Sequence, residues 1–443
     1  MSKKFVITTL PFLAIGGLVA LTGCNEKYDA KLVVYNWEDY IYDGTDDDGY
    51  VVDDSVVERF EKYYKEKTGL KVKVEYECFS TNEIMYQQIT LGAIKPDLIC
   101  PSDYMIQKMA NAGLLEEFSY DEVNDKYGES LKNWDEYGSP YIRNRFAQET
   151  LSNGSSFLKY AVPYFWGTMG FTYDSTFFSA EEVETWECLW NNNPKFAKKF
   201  TLKDSMRDTY VAAIFHVYRD EITALDVNAA DYNDKLSEIF NRCDDETLTK
   251  VENALKATKA NVFGFEVDEG KDGIVQDTYK ANLAWSGDSV YSMDSAEESG
   301  KILNYALPQE GSNVWFDGWC MPKGANKELA EVFVNFMCAP STAQLCMEAV
   351  GYTSPIVGDE IWQYVAETYA ADDEETEFYE ADLSFFFGEE HAKIRIANSE
   401  KGRQFDAQYP SEQMLKRCCM MKDFGENTTK VDAMWARVKS TFN

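Results

Sequence analysis

The period of the apolar residues changes from segment to segment and outlines the elements. In "SVVERFEKYYKEKTG" Val57, Phe60 and Tyr64 fall on one helical face, Ser55 and Glu58 stand at capping-box spacing, and Gly69 supplies a stop. "LKVKVEYECF" then alternates Val72, Val74 and Tyr76 with charged residues, the period of a half-buried strand. "DLICPSDYMIQKMANAG" reads as an apolar strand, a Pro-Ser-Asp-Tyr turn and a helix ending near Gly113. Farther on, "NLAWSGDSVY" predicts a strand entering a turn at Trp285–Asp288, and "VWFDGWCMP" has strand character. "ELAEVFVNFMCAPSTAQLCMEAVG" predicts two helices broken at Pro340, the second opening with Ser341 and Gln344 as a capping box. Strands alternating with helices imply an α/β fold with a parallel sheet. Ligands of such sheets sit beyond the carboxyl ends of the strands. "LVVYNWEDYI" runs from a strand into Trp37, Glu38, Asp39 and Tyr40 at such an end, and "PSDY" occupies another. Two acidic stretches, "YDGTDDDGYVVDD" and "ADDEETEFYEAD", read as surface loops or insertions. The first misses the spacing of a calcium loop because Gly44 stands at its first position, so no metal is expected there.

The amino terminus has a different pattern. Residues 1–23 place Lys3 and Lys4 before an apolar run and small residues, the layout of a secretory signal peptide. The run ends in "LTGC", which resembles a bacterial lipobox, so Cys24 is expected to carry the lipid and residues 24–30 to form a tether. No later stretch is long and apolar enough to span a bilayer, and the acyl chains would supply the membrane affinity. A periplasm and the outer face of a one-membrane cell both fit this extracytoplasmic reading.

Charge and composition then narrow the chemistry. A net charge of −33 speaks against nucleic-acid binding and attracts small cations. The chain holds 10 Trp, 28 Tyr and 27 Phe, enough to line a pocket as well as a core. With only 2 His and no C-x-x-C pair, zinc sites and Cys–His catalysis have little to work with, and no cofactor is expected. The 10 Cys leave an odd number once Cys24 is lipidated, and mostly free buried thiols fit as well as disulfides do. A length of 443 residues allows two or three domains.

The blocks "YNWEDYI", "PSDYMIQKM", "VPYFWG", "WSGD", "VWFDGWCMPKGANK" and "GYTSP" carry a family likeness. In order and rough spacing, over most of residues 31–356, the chain resembles the spermidine/putrescine-binding proteins of polyamine ABC transporters. The resemblance implies a two-lobed periplasmic-binding-protein fold with a ligand cleft, residues 31–162 with about 317–354 forming one lobe and 163–316 with about 355–443 the other. It implies a monomeric, non-enzymatic carrier that passes a polyamine to the permease and ATPase subunits of an importer. A polyamine needs aromatic faces for its methylenes and carboxylates for its ammonium groups. Carried over residue by residue, Trp37 and Tyr40 would pack on the chain, Asp39 would meet an ammonium, and Ser102 and Tyr104 would add hydroxyls. Trp285 and Trp315 would form walls, Asp317 would meet an amine, Asp288 matches an acid of the putrescine-type branch, and Tyr352 would close the rim. Tyr164 and Trp166 would shape the hinge and cleft floor. Spermidine-type relatives carry two acids in the segment matching "LKDSMRDTY"; Asp208 falls on one and Ser205 on the other, which leaves the choice of ligand open. Three other classes use similar residues: a sugar-binding lipoprotein, a secreted glycoside hydrolase with paired carboxylates, and a tyrosine-rich ferric-ion binder.

Overall fold

The computed structural model describes residues 27–46, 49–119, 131–259, 261–372 and 374–440. The signal sequence and the proposed lipidation site at Cys24 lie outside the described residues. The chain enters a three-stranded parallel sheet in which β1 (Ala30–Asn36) lies between β2 (Val72–Cys78) and β3 (Leu98–Ile99). Alternation does its expected work here: Leu32, Val34 and Asn36 turn inward from β1. The helix Val56–Thr68 buries Val56, Phe60 and Tyr64; its capping box is formed by Ser55 and Glu58, and Gly69 ends it at φ 75°.

The pivotal element is the long strand β5 (Val162–Asp174), which comes after the short β4 (Leu115–Glu116) and is buried throughout. The second sheet adds β6 (Phe200–Lys203), β7 (Gly264–Glu266), β8 (Ala281–Trp285), β9 (Leu303–Ala306) and β10 (Val314–Trp319), in the order β10-β5-β8-β6-β7 with β9 also on β5. The first half of β5 pairs with β10 and its second half with β8 and β9. Val162, Phe165 and Trp166 pack in one core with Leu32 and Val34, whereas Met169, Phe171 and Tyr173 pack in another with Leu202 and Leu283. One strand therefore passes from core to core between Trp166 and Met169. This second sheet is mixed rather than parallel, because β5 runs antiparallel to β8, β9 and β10 while β6, β7 and β8 are mutually parallel.

Three further expectations differ from the structure. The helix Pro340–Val350 takes Ala339 as N-cap, so Ser341 lies inside the first turn and caps nothing; Pro340, with its preset φ, starts the helix earlier. No turn intervenes after β8: Trp285 is itself the N-cap and the helix Ser286–Glu298 starts at once, placing Asp288 in its first turn. Part of "ADDEETEFYEAD" is a strand, β12 (Phe378–Asp382), which comes after β11 (Met321–Pro322) and pairs with β13 (Lys393–Ala397). Ile356, Ile361, Val365, Phe386 and Ile396 pack in the first core. The helix Thr428–Ser440 packs against Met206–Val217 and Asp245–Lys259. Among the described residues no helix is long and apolar enough to cross a membrane.

Candidate functional site

The carboxyl ends of parallel strands from both sheets meet beside β5 and β10. β1 delivers Trp37 and Tyr40, β3 delivers Ser102, and β6 and β8 deliver Lys203, Asp208, Trp285 and Asp288. β10 supplies Trp315 and Asp317 from within the strand, where the register shifts between Asp317 and Gly318. Such a bulge re-aims a side chain, and here Asp317 turns toward Tyr40 and bridges to Ser102.

Asp317 lies at the centre of the cluster and is buried. The Tyr40 phenol donates to its Oδ2 at 2.9 Å, while Oδ1 is buried with no hydrogen-bond partner among the described residues. Burial pushes its pKa up to about 6; the hydroxyls of Ser102 and Tyr40 lower it part of the way and the charge of Asp208 raises it. Tyr40 is fixed in turn by its backbone, whose carbonyl accepts from the Tyr164 hydroxyl at 2.9 Å. Tyr352 stands edge-on to both Tyr40 and Trp315, with ring centroids 5.5 Å away in each case. Its hydroxyl donates to Asp288 Oδ1 at 2.8 Å. Gly287 makes that placement possible: a Cβ there would sit 2.2 Å from a Tyr352 ring carbon.

On the second side, Trp285 Nε1 donates to Asp208 Oδ1 at 3.3 Å. Burial raises the Asp208 pKa against the hydrogen bonds from Ser205 and Trp285. Lys203 is fully buried, its ammonium 4.4 Å from the Trp285 ring centroid, 3.4 Å from Asp288 Oδ2 and 3.3 Å from Glu266 Oε1. Burial pulls the Lys203 pKa down, but the charges of Asp288 and Glu266 outweigh it, so the ammonium stays charged.

The structure thus brings together Tyr40, Ser102, Asp208, Trp285, Asp288, Trp315, Asp317 and Tyr352. Three of the sequence-predicted residues stand differently. Trp37 is half-buried against Phe79 at 4.5 Å between centroids. Asp39 adopts a left-handed φ of 51° and, like Glu38, is exposed. Tyr104 is engaged inside the protein: its hydroxyl meets Glu83 and Asn82 at 3.0 Å, and the Arg207 guanidinium covers its ring at 3.7 Å. Asp204 pairs with Lys439, and Trp166 stacks on Phe386. Sequence reasoning missed Lys203 and Glu266, and also the buried Asp103, whose pKa burial drives well up. The signal for Lys203 was a lysine ending an apolar run, directly before the acids of "LKDSMRD".

Two α/β cores joined through one shared strand, with polar and aromatic groups converging at the junction, define a two-lobed binding protein. The comparisons agree. The profile of the bacterial extracellular solute-binding proteins matches residues 56–359, and the chain belongs to that family, whose members carry solutes rather than transform them. It is 26% identical over 367 residues to spermidine/putrescine-binding periplasmic protein 1 of Haemophilus influenzae, covering 79% of this chain and 84% of that one. It is 25% identical over 376 residues to the putrescine-binding periplasmic protein PotF of Escherichia coli, covering 82% and 88%. Among solved structures, the spermidine/putrescine ABC transporter substrate-binding protein PotD of Streptococcus pneumoniae superimposes with a TM-score of 0.61 at 25% identity, over 93% of this chain and 99% of that one.

Proposed function

We propose that the protein captures a polyamine, putrescine or spermidine, in this cleft and delivers it to the permease and ATPase of an ABC importer. The observation that carries the reading is Asp317, a buried carboxylate with one oxygen unpartnered and aromatic rings around it. An ammonium brought to that oxygen gains a desolvated ion pair, and Tyr40, Trp315 and Tyr352 offer apolar surface to the attached methylenes and cation–π contact, about 0.5–2 kcal/mol, to an ammonium over a ring. Asp208 would take a second ammonium, with Trp285 beside it. Trp37 and Asp39 would act at the entrance, and Ser102 by supporting Asp317. A neutral sugar would leave the Asp317 charge uncompensated, so the cationic reading fits the site better. The names of the curated relatives support it.

The two lobes would divide where β5 passes between cores, with Ile356, Ile361, Val365, Phe386 and Ile396 in the first and the last helix in the second. Ligand would close them by a hinge motion. Cys24 would tether the body to the outer side of the membrane. A thermal-shift screen of putrescine, spermidine, spermine, maltose and amino acids tests the reading. Amines at 100 times Kd should add about 2.7 kcal/mol of stability. Stabilisation by maltose and by none of the amines would overturn it.

A further inference from the structure

Lys203 brings a cation of the chain's own into a site that otherwise gathers acids. It ends β6 opposite Glu266 of β7 in the parallel register, so the two side chains stand together. Its ammonium donates to the Val267 carbonyl at 2.7 Å and meets Glu266 at 3.3 Å and Asp288 at 3.4 Å. It also lies over the ring of Trp285 at 4.4 Å. Carboxylates and an indole face are the equipment expected for one end of a polyamine, and here they already hold an amine. Asp288 is saturated from both sides, by Lys203 on Oδ2 and Tyr352 on Oδ1. The acids toward β10 that Lys203 does not engage are Asp317, with its unpartnered oxygen, and Asp208, near enough for its charge to raise the Asp317 pKa.

We infer that Lys203 is a resident ammonium that fills one cation subsite of the cleft and limits the ligand to a short diamine. The inference rests on the polyamine reading and adds a selection rule to it. A diamine spans Asp317 and Asp208 and stops short of Lys203. The third ammonium of a triamine would face a buried like charge whose counterions are already committed, and repulsion of this kind discriminates between ligands as effectively as an added attraction. At that end Lys203 already occupies the Trp285 face and Asp288 Oδ2, and only Glu266 Oε1, 3.3 Å from the same ammonium, lacks a hydrogen bond.

Calorimetric titration of the wild type with putrescine and spermidine should show putrescine binding at least about tenfold tighter. In Lys203→Ala combined with Glu266→Gln, which removes the resident cation and one of its two counter-charges, Asp288 becomes available and the preference should fall to parity or reverse. Circular dichroism establishes that the variant is folded, and the wild-type comparison stands even where it is not. Wild-type protein that binds spermidine as tightly as putrescine overturns the inference while leaving the polyamine reading intact. So does a folded variant that keeps the wild-type ratio. Failure of the wild type to bind either amine removes the polyamine reading and the selection rule with it.

Discussion

Tyr40 and Asp317, 277 positions apart in the chain, share a hydrogen bond of 2.9 Å in which the phenol donates to Oδ2. The bond ties the end of the first strand to the middle of β10 and fixes which carboxylate oxygen stays open. It also leaves a buried charge only half compensated, an imbalance with consequences for both binding and stability.

Asp317→Asn should weaken polyamine binding by about 30-fold or more, since removing one member of a buried charged pair costs about 2–5 kcal/mol. The same change should stabilise the ligand-free protein. A carboxyl raised from 3.8 to about 6 makes the folded state bind more protons than the unfolded chain between those values, so stability falls as pH rises through that window. At neutral pH the cost is about 3 kcal/mol. Urea denaturation should therefore find Asp317→Asn more stable than wild type at pH 7.5 and no longer so near pH 3.5. A variant less stable at both pH values would mean that Asp317 is already fully compensated inside the fold.

Binding should carry the same signature. An ammonium pairs with the ionised carboxylate, and Asp317 loses its charge as pH drops through about 6. Titrations at pH 7.5, 6 and 5 should give affinity that is flat above 6 and then falls, approaching tenfold per pH unit. The Asp317→Asn variant should lose that inflection. Wild-type affinity unchanged at pH 5 would remove Asp317 from contact with the ligand.

Much of this was legible in the chain. Period-two alternation located β2, and the capping box with Gly69 located the first helix to its ends, because both signals are local. The blocks shared with the family pointed to Tyr40 and Trp285 beside strand ends and to Asp317 inside β10. Less legible was whatever depends on register or on distant partners. Nothing near Lys203 announces that Glu266 lies opposite it on a neighbouring strand, and nothing near Tyr104 announces Arg207 over its ring. The place of Phe386 was equally hidden, since it gains its meaning from Trp166, 5.4 Å away between centroids.

Gly287→Ala tests the aromatic edge of the cleft. Its Cβ would meet Tyr352 at 2.2 Å and drive the ring off Asp288 and Trp315. Overpacking of this kind costs about 1–3 kcal/mol, and the displaced ring should weaken polyamine binding as well. Tyr352→Phe keeps the ring in place and removes one hydrogen bond to a carboxylate, so its stability should fall by about 1.5–3 kcal/mol. Equal effects of the two changes on affinity would show that the hydroxyl, not the ring position, governs the ligand.

The proposed anchor makes a cellular prediction. Cys24→Ala should move the protein out of the membrane fraction on cell fractionation, because the proposed acyl chains on Cys24 supply the membrane affinity. Retention as tight as before would refute lipidation at Cys24.

The remaining thiols offer a chemical test. Cys78, Cys100, Cys188, Cys243, Cys320, Cys338, Cys346, Cys418 and Cys419 are all free. Only Cys78 is exposed, and Cys243 is intermediate. The thiolate is the reactive form, and burial drives Cys100, Cys188 and Cys320 far above the ordinary thiol range and Cys418 and Cys419 to about 12. Cys78 is also raised, by partial burial first and then by the charges of Glu38 and Asp39. An aromatic disulfide reagent at pH 8 should therefore find one fast thiol, a slower second from Cys243, and the others only after denaturation. Cys24, alkylated by the anchor, would not count. Reductant should leave the melting temperature unchanged. A polyamine drawn to the acidic entrance would offset the Glu38 and Asp39 charges and lower the Cys78 pKa, so saturating ligand should speed the fast phase. A shortfall of thiols in denaturant without reductant would reveal a disulfide and overturn the free-thiol assignment.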